Sequence, residues 1–150
     1  MAIDRNELLG TWHLVEWDYT IDGEVRGHPF GRDAQGQIIY SVDGFMSALL
    51  MRRERPNFAA RNLVSGSAEE KIAALDGYVS YGGSYEVGED YVIHHVQFSL
   101  LPNWIGTDLK RLVIWEATPA EKQLLLVTEP ETTRTGRTMI NRLRWRRAAS

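Results

Sequence analysis

Apolar residues in this chain recur at every second position, in short runs cut off by turn-forming residues. That period belongs to half-buried strands, whose side chains alternate between two faces, and not to helices. Thr11 to Tyr19 shows it first, with Trp12 and Leu14 on one side and Val15, Trp17 and Tyr19 on the other. Further runs follow at Gln37 to Ser41, Phe45 to Met51, Ser84 to Val87 and Tyr91 to Leu100, then at Leu109 to Glu116, Gln123 to Thr128 and Thr138 to Arg147. The spacing predicts about eight strands.

The connections agree with that reading. Asp22-Gly23 and Asp43-Gly44 supply the positive-φ positions of tight hairpins. Thr118 to Glu121 and Thr133 to Gly136 read as turns, Gly27 to Gly36 as a Gly- and Pro-containing loop, and Arg52 to Ser67 as irregular. One helix is expected, with Ser67 as N-cap and Glu69 and Glu70 in its first turn. Ile72, Leu75 and Val79 recur at helical spacing, and Gly82-Gly83 is expected to end the segment. No βαβ alternation, repeat or linker divides the 150 residues, so one domain over 1–150 is expected. Consecutive strands joined by short turns pair antiparallel, and eight of them can close into a barrel that leaves no free edge. A sandwich is the alternative, though the long crossovers of a Greek key are little in evidence.

Composition narrows the function classes. With 43% hydrophobic and 25% charged residues the chain is of ordinary globular type. A net charge of −3 and a pI near 5.8 provide no basic field for nucleic acid. There is no cysteine, so disulfides, thiolate metal sites and thiol catalysis are excluded. The opening MAIDRNELLGTW is too polar for a signal peptide, and the apolar runs fall short of the ~20 residues of a spanning helix. The expectation is a cytoplasmic protein with no membrane partner. No Gly-x-Ser-x-Gly, P-loop, dinucleotide fingerprint or His-Glu-x-x-His occurs, so no cofactor or metal is expected.

Four segments carry a resemblance. They are Leu8-Leu9-Gly10-Thr11-Trp12, Gly36 to Ser47 (GQIIYSVDGFMS), Asp76 to Tyr81 (DGYVSY) and His94 to Thr107 (HHVQFSLLPNWIGT). In this order, over Leu8 to Trp145, the chain resembles the bacterial and fungal lipocalin-like domain family. The Gly-Thr-Trp opening alone is common among barrels; the His-His and Pro-Asn-Trp-x-Gly-Thr elements are more specific. The resemblance implies a calycin-type fold: an all-β, antiparallel up-and-down lipocalin-like barrel of about eight strands with one short helix, closed at one end around a cavity. It does not imply one activity, because such barrels host carriers and enzymes alike.

Candidate site residues follow from the strands. His94 and His95 are adjacent, so they face opposite sides of the sheet and cannot share a metal without a bulge. His94 lies with Val96, Phe98 and Leu100, and His95 with Gln97 and Ser99; the simplest rule puts the first set inside. Each histidine is either a hydrogen-bonded structural residue or a lumenal ligand donor or general acid/base. Tyr40, Ser47, Tyr81, Tyr85, Trp104 and Arg111 are the other candidate ligand contacts. Tyrosine hydroxyls suit a cavity because they orient a carbonyl or phenol without adding charge. Trp12 is expected to plug the closed end, with Arg111 or Arg142 stacked on it. Arg142, Arg144 and Arg146 alternate with Leu143 and Trp145 and read as an exposed basic stripe. Glu16 or Asp18 could pair with a lumenal histidine, a surface position being the plainer alternative. His13 and His28 lie too far off for metal-ligand spacing.

Two functions remain open: binding of a small apolar or aromatic molecule, or a cofactor-free cyclase, isomerase, lyase or hydratase that moves a proton with His94 or His95 and a tyrosine. A structural interaction domain is a third reading, and a homodimer is compatible with the sequence.

Overall fold

A computed structural model describes residues 2–148. They form α1 (Arg5–Leu8), β1 (Gly10–Ile21), β2 (Glu24–Gly27), β3 (Gln35–Tyr40), β4 (Phe45–Met51), α2 (Ala68–Asp76) and β5 (Tyr78–Val87). After these come β6 (Tyr91–Ser99), a 3-10 turn (Pro102–Trp104), β7 (Asp108–Ala117), β8 (Lys122–Thr128), β9 (Glu131–Thr132) and β10 (Thr138–Arg147). Eight strands, β1, β3 to β8 and β10, pair antiparallel in chain order, and β1 returns to β10 to close the barrel. β2 and β9 are short additions, on β1 and β10 respectively. The fold is thus an up-and-down, lipocalin-like barrel.

Local chemistry explains the punctuation. Asp22 and Gly23 both adopt positive φ, 50° and 83°, as a tight two-residue hairpin turn requires. Ser67 and Glu70 form a reciprocal capping box that starts α2. The helix is shorter than its apolar spacing predicts. It ends at Asp76, with Gly77 as its cap, and Tyr78 and Val79 already belong to β5.

Gly82-Gly83 does not stop a helix; both glycines lie within β5. A side chain on Gly83 would meet the His95 carbonyl oxygen at 1.9 Å, and one on Gly82 the Met46 carbonyl oxygen at 3.0 Å. These glycines permit close approach of neighbouring strands, the other common reason for glycine in a strand. The His95 carbonyl is pressed onto Gly83 because β6 carries a bulge there: Gly82 pairs with Phe98 and Gly83 with Val96, which leaves Gln97 over. The extra residue inverts the alternation. His94 and Val96 are buried, whereas Phe98, expected beside them, lies outside with 73% of its surface exposed.

β1 contains a second inversion. Its register against β10 passes from Leu14 opposite Trp145 to Glu16 opposite Arg144, which leaves Val15 over. Trp12 and Trp17, five residues apart, therefore both serve the interior, although strict alternation sets them on opposite faces.

One end of the barrel is closed by α1 and by large side chains. Leu8, Trp12 and Trp145 are almost wholly buried there, and Trp12 donates its indole N–H to the Leu8 carbonyl at 2.9 Å. Trp115 packs at 6.0 Å from Trp12 between ring centres. The cation stacked on Trp12 is Arg147, at 4.3 Å, and neither Arg111 nor Arg142. The reason is register, since Arg147 lies opposite Trp12 in the β1–β10 pairing. Arg147 also donates to the Glu7 and Leu9 carbonyls, tying the C-terminal end of α1 to the last strand.

The basic stripe is corrected at Arg142 and Arg144, whereas Arg146 is exposed as expected. Arg142 forms a two-pronged ion pair with buried Asp18, both bonds at 2.8 Å. Arg144 bonds Glu116 at 2.6 Å and Glu16 at 3.1 Å, and Glu16 also meets His28 at 3.0 Å. These residues fasten the β1–β10 seam from outside, where paired guanidiniums offer little to an external anion. Glu16 and Asp18 are thereby committed to arginine and not to a lumenal histidine.

Candidate functional site

Away from the plugged end the barrel encloses a cavity of about 250 Å³. Ile38, Ala48, Leu50, Leu109, Leu126 and Leu143 give it apolar walls, and Trp17, Tyr81, Trp104 and Trp145 give it aromatic ones. Polar atoms come from His94, Arg111, Thr128, Glu131 and Asn141. An apolar cavity of roughly 150 Å³ holds one benzene ring, and drug-sized sites begin near ~300 Å³. The space thus suits one substituted aromatic ring.

The chemical centre is a buried row of three side chains. His94, with no exposed surface, meets the Tyr40 hydroxyl through Nε2 at 2.6 Å and the Tyr81 hydroxyl through Nδ1 at 2.7 Å. β3, β5 and β6 supply the three residues, each from an inward-facing position. Among the described residues the Tyr40 hydroxyl bonds only to His94, so its proton goes to Nε2. A neutral imidazole that accepts at Nε2 carries its proton on Nδ1. His94 therefore donates to the Tyr81 oxygen, and the Tyr81 hydroxyl proton is left free on the cavity side.

Electrostatics keep this row neutral. Burial pushes the His94 pKa well below its ordinary 6.5, and the charge of Arg111 pushes the same way. Burial raises Tyr40 and Tyr81; at Tyr81 the neighbouring Arg111 guanidinium partly opposes it by favouring the phenolate. Arg111 faces the cavity from β7 and forms no ion pair among the described residues. Its guanidinium lies within hydrogen-bonding reach of the Tyr81 hydroxyl and makes a long bond, 3.4 Å, to the Lys110 carbonyl. Glu131 at the rim is the only carboxylate in the lining.

Two of the three lining indoles have a defined hydrogen-bonding state. Trp17 donates to the Asn141 side-chain oxygen at 2.9 Å. Trp145, 1% exposed, has a buried Nε1 that donates to no protein group. A buried donor without an acceptor costs about 1–3 kcal/mol, and this one is closed off from the cavity as well as from solvent.

The candidates read from the sequence divide accordingly. Tyr81, His94, Trp104 and Arg111 meet at the cavity, and Trp104 stands edge-on to Tyr81 at 5.6 Å. Tyr40 backs His94, and Tyr85 stacks on Tyr40 at 4.9 Å while its hydroxyl bonds the Ser41 carbonyl, so both lie behind the lining. Ser47 points outward, into a surface groove beside Phe98. His95 also points outward, where it meets Asp108 at 2.6 Å and Glu86 at 3.6 Å. Among the described residues no cluster of His, Cys, Asp or Glu is arranged to hold a metal, and no helix is long and apolar enough to cross a membrane. Trp17, Asn141 and Trp145 were missed as lining residues. Trp145 had a signal, its alternation against the arginines of β10; Trp17 had none, because the bulge at Val15 hides its direction.

A family model described as a lipocalin-like domain matches residues 9–148. The chain is also similar to the 4'-hydroxy-3'-methoxypropiophenone carrier protein ppsC of Aspergillus oryzae. The two are 37% identical over 76 residues, a stretch covering 45% of this chain and 68% of that protein.

Proposed function

Because the chain belongs to the lipocalin-like domain family, its barrel binding a small apolar or aromatic molecule, we propose that it is a carrier for a single-ring aromatic compound bearing an oxygen acceptor, such as an aryl ketone. The cavity carries this reading: about 250 Å³ of mostly apolar and aromatic wall, closed at the base by Trp12 and furnished with hydrogen-bond donors. Apolar walls supply affinity roughly in proportion to the area they take from water, and a few fixed polar groups set the orientation. The name of the fungal relative supports the same chemistry, an aryl ketone held by a carrier.

Carriage without turnover agrees with the state of His94. Both of its ring nitrogens are engaged by tyrosines, and burial holds it neutral, so it does not present a free acid or base to a ligand. Its role is to fix the direction of the Tyr81 hydroxyl.

Equilibrium titration with 4-methoxyacetophenone, followed by quenching of tryptophan fluorescence, tests the proposal. The expected result is saturable binding at one molecule per chain, with the ketone recovered unchanged by mass spectrometry. Leu126→Trp, which fills the cavity, is expected to abolish binding. Absence of saturable binding by the wild-type protein, or chemical conversion of the ketone, would overturn the carrier reading.

A further inference from the structure

The polar groups of the cavity are almost all donors. Tyr40 donates to His94, His94 donates to Tyr81, and the Tyr81 hydroxyl is left to donate into the cavity. Both bonds run in the direction of the free hydroxyl, so the first polarises the second and the combined dipole presents its positive end to the occupant. Arg111 adds a full positive charge beside Tyr81, without a carboxylate within ion-pair distance among the described residues. The acceptors are fewer. The Asn141 oxygen takes the Trp17 N–H and the Thr128 hydroxyl takes the Asn141 backbone N–H, which leaves Glu131 at the rim.

A neutral apolar molecule has no use for such an arrangement, in which a half-buried guanidinium has no ion-pair partner among the described residues. An occupant with a negatively charged oxygen satisfies both the charge and the hydrogen bonds. We propose that the cavity takes its aromatic ligand as an oxyanion, a phenolate or an equivalent enolate, with the charged oxygen on Arg111 and the Tyr81 hydroxyl. This rests on the carrier reading and sharpens it: a phenol carrying a ring acyl group in the para position is a vinylogous acid, whose negative charge spreads onto the ketone. One molecule thus offers an anionic oxygen at one end and an electron-rich carbonyl at the other.

The groups that act on the bound oxygen come from several strands: Tyr40 of β3, Tyr81 of β5, His94 of β6, Arg111 of β7 and Glu131 of β9. Only Arg111 and Glu131 are charged near neutral pH, and they oppose one another. Arg111 lies beside the donor row, whereas Glu131 is exposed at the rim and screened by solvent. The guanidinium therefore prevails at the bound oxygen.

A pH titration of 4-hydroxyacetophenone bound to the intact protein, read from the red-shifted absorbance of its phenolate, provides the test, with 4-methoxyacetophenone as the partner that cannot ionise. The expected result is that the bound phenol loses its proton at least about one pH unit below the free compound, the effect of a cation within a few ångströms. Affinity for the phenol, but not for the ether, then rises about tenfold as pH passes the free compound's pKa. Arg111→Met is expected to remove the displacement, and Arg111→Lys to restore part of it. If both compounds bind and the phenol ionises at or above its free pKa, the oxyanion inference is overturned and the carrier reading stands. If neither compound binds, both are overturned together. The wild-type titration decides the question even if a variant does not fold.

Discussion

His94 illustrates how burial decides the chemistry of a residue. Held among Tyr40, Tyr81 and the cavity wall, it stays neutral where a solvated histidine would take up a proton. Above pH 6.5 it is neutral in the folded and unfolded chain alike, so it adds no pH dependence there. As pH falls below 6.5 the unfolded chain gains a proton that the fold refuses. Stability is lost across this interval, down to the lower folded pKa, by up to about 1.4 kcal/mol per pH unit. Urea unfolding between pH 7.5 and 5.0 is expected to show this slope in the wild type and a shallower one in His94→Gln; equal slopes would remove the argument. The sequence disclosed that His94 and His95 must diverge, since strand neighbours always do. It did not disclose that the tyrosines at 40 and 81 converge on His94, because each comes from a different strand and only the barrel's register brings them together.

At the scale of elements, the strands were legible and their irregularities were not. Alternation marked the barrel strands apart from the first half of β5, yet an extra residue such as Gln97 or Val15 leaves the pattern intact on either side and shifts only its phase. Gly82-Gly83 was misread for a related reason: a glycine pair ends helices more often than it relieves crowding in a strand, and only the His95 carbonyl poised over Gly83 shows which role applies. Gly83→Ala must displace that carbonyl, and with it the β5–β6 pairing. A loss of at least about 3 kcal/mol is expected in chemical denaturation. The base plug carries its own prediction. Trp12→Ala removes a buried indole, its bond to Leu8 and the stack on Arg147, with an expected loss of about 3–5 kcal/mol. The same variant is expected to admit water or a small apolar probe at the closed end, detectable as binding of a hydrophobic dye that the wild type excludes there.

For the whole molecule, closure by β1 and β10 joins residues near the two ends of the sequence, sealed outside by the Asp18–Arg142 and Glu16–Arg144–Glu116 pairs. No strand of the barrel proper is left with a free edge, and the cavity exists only once the seam is complete. Ligand binding and barrel closure are therefore linked. A ligand at one hundred times its dissociation constant stabilises the folded state by about 2.7 kcal/mol. For a chain of this size that raises Tm by roughly 5–10 °C. Differential scanning fluorimetry with 4-hydroxyacetophenone is expected to show a rise of this order in the wild type and none in Leu126→Trp. The barrel could be anticipated from alternation, and its closed base from the lipocalin-like resemblance. The seam could not, because Asp18 and Arg142 are 124 residues apart and each looks like an ordinary surface charge when read locally.

The two bulges give the barrel a property that no single strand has. In β1 and β6 the wall is written in two reading frames, one on either side of Val15 and of Gln97. In β1 the first frame contains the plug residue Trp12 and the second contains Trp17 in the cavity wall. Each frame can therefore accumulate substitutions with little reference to the other. A descendant of this chain could change what it carries through residues such as Trp17 and keep, untouched, the Trp12 plug that makes it a vessel.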